Sequence, residues 1–192
     1  MATIIGYDPG GNDGPGVAAL SVDDLYNPSK IVTSTCKTVT EVTDWFSQLD
    51  KPLGIGIDTL TKWASGESGW RPADLWLRDK YPDVSRSVVS QNSMYGSMAI
   101  GGMMVKSWFF SHYPKGVISE THPKVLYFAL REKKYDWANA SAEMKDFLSK
   151  RLEVPCELDN DHEFDAAISC DLTYVEKGDL KPDAMTVEMV RR

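Results

Sequence analysis

Residues 3–20 read TIIGYDPGGNDGPGVAAL, and this stretch decides how the fold begins. The apolar run that ends at Tyr7 is typical of a buried strand, and a second apolar run begins at Val17. The Pro, Gly, Asn and Asp residues between the runs are turn formers, so the stretch predicts two strands joined by a short connection. Asp8 stands where the first strand ends. Its carboxylate either shapes the turn or takes part in chemistry. The chemical role is favoured only if other carboxylates of the chain converge with Asp8.

The rest of the chain continues the pattern. Strands are expected at residues 2–7, 15–22, 30–39, 53–58 and 116–123, and helices from Thr40, from Arg71, and over 94–112, 123–131, 141–152 and 161–178. Thr40 and Asp161 are the expected N-caps, and Gly101 and Gly102 are expected to interrupt their helix. This order predicts an α/β fold with a mixed sheet, antiparallel at first and parallel later, and helices on both faces.

Composition limits the classes of function. The chain has 192 residues, with 28 acidic and 21 basic side chains and a net charge of −7. Proteins that hold nucleic acid by phosphate contacts usually carry a basic face, so such a role would need local basic patches or bridging metal ions. Three distant cysteines predict small buried residues and a reducing compartment. No segment is typical of a signal peptide or membrane span, so we expect a cytoplasmic protein. Methionines 94, 98, 103 and 104 are expected to fill the core.

Carboxylates recur where a ligand would bind. Asp8 and Asp58 each end an apolar run, and parallel neighbouring strands would bring both into one crevice. Asp161 and Asp165 lie one turn apart on the last predicted helix. Carboxylates gathered without a cation repel one another, and Mg²⁺ or Mn²⁺ prefers such oxygen ligands. The alternatives are a strand end for Asp58, a cap for Asp161 and a favourable helix-terminal charge for Asp165. Glu120, which ends a further strand-like run, is equally well interpreted as a strand-end residue paired with a nearby arginine.

Glycines and cations supply the candidate substrate contacts. Gly10 and Gly11 would keep the backbone clear for a phosphate. Arg71 and Arg78 lie two helical turns apart and could contact phosphate together with Lys124. Salt bridges on a solvated face are at least as good an interpretation of the two arginines.

The motifs also resemble a known family. The matching stretches are GYDPGG at 6–11, GIDTL at 56–60, RPADLWLR at 71–78, ETHPKVLYFAL at 120–130 and DHEFDAAIS at 161–169. In this order they are similar to the DUF429 type of predicted nucleases, within the ribonuclease H-like fold. The resemblance covers most of residues 2–176.

The resemblance implies a five-stranded sheet of order 3-2-1-4-5 and two-metal hydrolysis of phosphodiesters. The implied roles are Asp8 bridging two Mg²⁺ or Mn²⁺ ions, Asp58 and Asp165 holding one ion each, Glu120 or Asp161 completing a shell, and His162 positioning water or relaying protons. We therefore expect one ribonuclease H-like domain over 1–178, a tail over 179–192, and a nuclease acting on nucleic acid or a nucleotide. A homo-oligomer is a further expectation.

Two other functions stay open. A non-catalytic binding module would keep the fold but place an internal cation among the carboxylates, and Arg71 and Lys124 are the residues that decide this. Actin-like nucleotide phosphotransfer would also use Asp-Gly turns around phosphates. Such enzymes usually need two copies of the core, and this chain has room for one.

Overall fold

The protein was analysed as a computed structural model. It describes residues 1–177 except 12, 26, 51, 63–68 and 91–95, and for 172–177 the backbone only. The strands are β1 (Ala2–Asp8), β2 (Gly16–Val22), β3 (Pro28–Thr35), β4 (Pro52–Ile57) and β5 (Val117–Glu120). The helices are α1 (Val39–Ser47), α2 (Pro72–Lys80), a 3₁₀ helix (Pro82–Ser87), α3 (Gly96–His112), α4 (Pro123–Arg131), α5 (Trp137–Leu152) and α6 (Asp161–Lys177). The predicted tail, 179–192, lies outside the described residues.

The sheet has the predicted strand order, β3-β2-β1-β4-β5. β1, β2 and β3 pair antiparallel, whereas β4 is parallel to β1 and β5 is parallel to β4. Tyr7 aligns with Ile57, and Ile57 aligns with Glu120. The carboxyl ends of the three parallel strands therefore meet at one edge of the sheet. This confirms the predicted mixed α/β architecture.

Each face of the sheet carries its own hydrophobic cluster. Ile4 of β1 faces the cluster formed with α4, α5 and α6, and Ile5 faces the cluster formed with α1 and α3. Side chains alternate along a strand, so neighbouring residues serve opposite faces. Both isoleucines are fully buried, and each such burial contributes about 1.5–3 kcal/mol. The sheet is thus a rigid platform for side chains at its ends.

Helix α6 lies unusually close to β1. A Cβ atom at Gly6 would lie 1.8 Å from the carbonyl oxygen of Ala166, so only glycine fits there. Gly16 permits a second close approach, because a Cβ there would lie 2.1 Å from the carbonyl oxygen of His162. These contacts bring the N-terminal turn of α6 over the ends of the strands.

Two predicted caps are wrong by one or two residues. Thr38, not Thr40, caps α1, because its Oγ1 accepts the Glu41 backbone N–H at 3.1 Å. At α6 the side-chain oxygen of Asn160, not that of Asp161, accepts the Glu163 backbone N–H at 2.9 Å. Thr38 has the extended backbone that an N-cap requires, with φ −139° and ψ 158°.

Helix α3 corrects two expectations. It runs without interruption through Gly101 and Gly102, where the missing side chains let it approach the sheet. A Cβ at Gly102 would lie 2.0 Å from Cγ2 of Thr59. Met103 and Met104 are 48% and 54% exposed, so the prediction that they fill the core is wrong. Because α3 is apolar around its whole circumference, sequence periodicity gave no sign of which side packs.

The three cysteines are buried and free of disulfides, as predicted. Within the described residues, no helix has both the length and the apolar character needed to cross a bilayer.

Candidate active site

The sheet edge and α6 bring three carboxylates together. Asp8 ends β1, Asp58 directly follows β4, and the Asp58 backbone N–H donates to the Tyr7 carbonyl at 2.8 Å. Asp165 lies in the N-terminal part of α6, the part held against the sheet at Gly6. The charges of Asp8 and Asp165 both act on Asp58. The three carboxyl groups therefore lie near enough for their charges to act on one another.

The Asp8 side chain is fixed from two sides. It is 3% exposed, and its Oδ1 accepts the Gly10 backbone N–H at 3.0 Å. Its Oδ2 lies 2.7 Å from Nδ1 of His162. Gly10 adopts a φ of +64°, and a Cβ there would lie 2.1 Å from the Gly14 carbonyl oxygen. Glycine is thus required for the turn that orients Asp8.

Burial and mutual repulsion disfavour charge on the other two carboxylates. Burial, and then the charges of Asp8 and Asp165, raise the pKa of Asp58 well above its usual range. Burial, and then Asp8, raise the pKa of Asp165 to about 8. Lys124 opposes the shift in both cases. Such perturbed carboxyl groups are typical of sites that act on a charged ligand.

Asp165 also has an unsatisfied oxygen. Its Oδ1 is buried without a hydrogen-bond partner, which ordinarily costs about 1–3 kcal/mol. A hydrogen bond from Tyr135 lowers the pKa of Asp165, although burial and nearby charges outweigh it. Burial, and then Asp165, raise the pKa of Tyr135, so this phenol stays a donor.

His162 and Asp161 complete this side of the site. The hydrogen bond with Asp8 raises the pKa of His162 despite the opposing effect of burial. Because Nδ1 is engaged with Asp8, Nε2 is the ring nitrogen left for a substrate or water. The charge of Asp161 acts on both His162 and Asp165, and its carbonyl oxygen lies 3.4 Å from the Tyr135 hydroxyl oxygen.

Glu120 lies at the same sheet edge but has its own partners. The guanidinium of Arg71 donates to Glu120 Oε2 at 2.9 Å and, through Nε, to Asp74 Oδ2 at 2.9 Å. The Thr61 backbone N–H adds a bond to Glu120 at 2.7 Å. Burial alone would lower the pKa of Arg71. The hydrogen bonds with Asp74 and Glu120 outweigh this effect, so the pKa is raised above its ordinary value. Arg71 is thus tied to the Glu120 end of the site.

The sequence analysis gave Asp74 no role beyond its place in the RPADLWLR motif, yet this residue is fully buried and joins the Arg71–Glu120 pair. The available signal was the spacing R-P-A-D, which places an acidic residue three positions after the helix cap. Asp74, Glu120 and His122 bring potential ligand atoms within 4.8 Å of one another. Arg71 already neutralises both carboxylates, so a cation there would compete with it. In the described part of the chain Asp8, Asp58 and Asp165 do not form so tight a group.

The other residues predicted to contact the substrate are Arg78, Lys124 and Gly11, and each has different surroundings. Arg78 donates to the carbonyl oxygens of Ser85 and Val88, at 2.6 and 2.8 Å, and its guanidinium lies 4.7 Å from the ring centre of Trp70. It therefore anchors the 3₁₀ helix. Lys124 is exposed, with its Nζ 5.3 Å from the ring centre of Tyr135. A Cβ at Gly11 would meet nothing within 4 Å, so the backbone there is open to approach.

Comparisons with known proteins show a similarity of fold only. No protein-family profile matches the chain, and no curated protein matches its sequence. The RuvC structure from Thermus thermophilus is 14% identical with a TM-score of 0.46, over 91% of this chain and 95% of that one. T. thermophilus RuvC in complex with a Holliday junction substrate is 14% identical with a TM-score of 0.45, over 92% and 95%. At this level the likeness concerns the course of the chain and assigns no function.

Proposed function

We propose that this protein is a divalent-metal-dependent phosphodiester hydrolase that acts on nucleic acid. This is also the activity implied by the resemblance of its motifs to the predicted nucleases. The observation that carries the proposal is the group of Asp8, Asp58 and Asp165. Burial, and then mutual repulsion, raise the pKa of Asp58 and of Asp165. Within the described residues none of the three forms a salt bridge with an arginine or lysine. The charge of Lys124 offsets only part of these shifts, and a bound cation would relieve the rest of the repulsion.

The donor set fits Mg²⁺ or Mn²⁺. All three side chains offer carboxylate oxygens, which these hard ions prefer, and Asp165 Oδ1 has no other partner. Asp8, Asp58 and Asp165 would hold the metal, with Asp161 near enough to contribute charge. When bound, the metal would supply Lewis-acid polarisation of the phosphate and of an attacking water.

The chain's own residues have distinct tasks in this proposal. The open backbone at Gly11 admits the phosphate, and the exposed Lys124 binds it by charge. Asp8 holds the His162 ring through Nδ1 at 2.7 Å, so that Nε2 can take or give a proton at the reacting water or leaving oxygen. Glu120 supports the site indirectly, since it fixes Thr61 and Arg71 at the neighbouring strand end.

The competing functions have less support. A non-catalytic module would place an internal cation among the carboxylates. Arg71 pairs with Glu120 and Asp74 instead. Lys124 acts on Asp58 and Asp165 through its charge, but within the described residues it forms no salt bridge with either. Actin-like phosphotransfer needs two cores, and the described residues form one five-stranded sheet. From the sequence we also propose a cytoplasmic location and a homo-oligomer.

The test is cleavage of fluorescent single-stranded, duplex and branched DNA and RNA with Mg²⁺, with Mn²⁺, or with EDTA. We expect cleavage that needs the metal and falls at least about 100-fold in Asp8→Asn, because a carboxylate ligand is lost. Asp44→Asn, at an exposed position of α1, is the matched control and should cleave like the unmodified protein. Unchanged turnover in Asp8→Asn would refute the assignment.

A further inference from the structure

We propose that one unpaired nucleotide of the substrate binds in the cavity between the 3₁₀ helix and the starts of α3 and α4, with Arg86 as its phosphate contact. This inference rests on the proposed function and narrows its substrate to strands that can present an unstacked nucleotide. Arg86 is not among the residues that the motifs single out.

The cavity adjoins the carboxylate group. Its volume is about 440 Å³, and Asp58 forms part of its lining. This volume lies within the range of small-ligand sites, roughly 300–1,000 Å³. A single nucleotide therefore fits beside Asp58, whereas a duplex, whose major groove alone is about 12 Å wide, is too large to enter. A nucleotide in the cavity would place a neighbouring phosphodiester next to the proposed metal ligands.

Two cations give one part of the cavity its charge. Arg86 and Lys124 both line it, and both side chains are exposed. In the portion of the chain that the structure describes, neither pairs with a carboxylate. A planar guanidinium without an acidic partner is well suited to bind a phosphate through two hydrogen bonds.

The segment that carries Arg86 is held in place. Arg78 donates to the carbonyl oxygens of Ser85 and Val88, on either side of Arg86. Val84 and Val88 are both buried in a small apolar cluster. Because the backbone is fixed before binding, little conformational entropy is lost when the guanidinium meets a phosphate. Arg78 is therefore a positioning residue for Arg86.

The rest of the lining is suited to a base. Val89 and Met98, both partly exposed, supply apolar surface next to the two cations. A base that is stacked within a duplex has no free face to bury there, whereas an unpaired base gains by leaving water. The combination of an apolar wall, two cations and an adjacent carboxylate group matches the base, phosphate and scissile bond of one nucleotide unit.

The experiment measures binding without cleavage. Fluorescein-labelled DNA and RNA strands of about 12 nucleotides, and the DNA duplex of the same sequence, are titrated with the full chain in EDTA by fluorescence anisotropy. The variants are Arg86→Ala, Arg86→Lys and Val89→Trp, which fills the cavity without changing the charge. Lys80→Ala removes the same charge from the exposed end of α2 and is the matched control. Far-UV circular dichroism checks that each variant is folded.

We expect the unmodified protein to bind a single strand at least about tenfold more tightly than the duplex. Arg86→Ala should weaken single-strand binding at least about fivefold and make the slope of log K against log salt shallower by about 0.7, one phosphate contact. Arg86→Lys should keep that slope, Val89→Trp should weaken binding with an unchanged slope, and Lys80→Ala should change little.

Two results would overturn the inference while leaving the proposed function standing. One is metal-dependent cleavage with equal affinity for single strand and duplex, and the other is Arg86→Ala binding as tightly as the unmodified protein. No binding to any of these nucleic acids, together with no cleavage in the metal assay, would overturn the proposed function and the inference with it.

Discussion

Replacing Asp165 by asparagine should stabilise the metal-free protein at alkaline pH. Burial and Asp8 raise the pKa of Asp165 from its ordinary 3.8 to about 8. The folded state therefore keeps a proton that the unfolded chain releases, so the unmodified protein loses stability as the pH rises from about 4 to about 8. Asparagine carries no charge and loses nothing over this window. It also retains an oxygen that the Tyr135 hydroxyl can donate to.

The magnitude follows from the pKa change. A rise from 3.8 to about 8 corresponds to about 5 kcal/mol at pH 8, as an upper bound. The charges of Asp8, Asp58 and Asp165 act on one another. When one neighbour of Asp165 takes up a proton, the repulsion on Asp165 falls, and ionising it costs less free energy. We expect a net gain of about 2 kcal/mol, which for a chain of this size raises Tm by about 4–8 °C.

The assay is thermal unfolding followed by circular dichroism in EDTA at pH 8 and pH 5. At pH 5 the Tm gain of Asp165→Asn should shrink to less than half, because most of the titration window lies above that pH. Mn²⁺ should raise the Tm of the unmodified protein at pH 8 more than that of the variant, since a cation relieves the same repulsion.

Asp171→Asn is the matched control. Asp171 is a buried aspartate of the same helix, but Arg151 donates to its carboxylate. Its replacement should therefore destabilise the protein at both pH values, the opposite of the result at Asp165. A Tm for Asp165→Asn that is unchanged or lower at pH 8, or a gain of equal size at pH 5 and pH 8, would refute the reasoning.

Two further predictions concern the frame around the site. Gly6→Ala should destabilise the protein by several kcal/mol, because its Cβ would lie 1.8 Å from the Ala166 carbonyl oxygen; a denaturant midpoint like that of the unmodified protein would contradict the proposed close packing of α6. Arg71→Ala should cost about 3–5 kcal/mol, since the carboxylates of Asp74 and Glu120 would lose their cation. Chemical denaturation checks this, with Lys80→Ala as the control; equal effects of the two substitutions would show that the ion pairs contribute nothing.

Much of the fold could be predicted because its signals are local. The turn residues after Asp8 and the apolar runs before Asp8 and Asp58 identify strands, and their order along the chain fixes a mixed sheet. The caps at Thr38 and Asn160 were missed because adjacent residues are equally good caps, and only the folded backbone chooses between them. The exposure of Met104 was missed because it depends on which side of α3 meets the sheet.

The candidate site also has a part that the strand order predicts and a part that only the folded structure shows. The strand order implied by the resemblance makes β1 and β4 neighbours, and parallel neighbouring strands bring Asp8 and Asp58 to the same end of the sheet. The pairing of Arg71 with Glu120 joins residues 49 positions apart on α2 and β5, and no pattern in the sequence specifies that contact. The contact of His162 with Asp8 spans 154 positions and depends on the close packing of α6 against the sheet.

The most direct test of the central claim is an anomalous-difference map from crystals soaked in Mn²⁺. The proposal predicts at least one peak in contact with carboxylate oxygens of Asp8, Asp58 and Asp165, and two peaks about 3.5–4 Å apart if both ions bind without substrate. Well-ordered carboxylates with no peak between them would contradict the claim. A peak confined to Asp74, Glu120 and His122, with Arg71 displaced, would contradict it as well and would move the metal to the other end of the sheet edge.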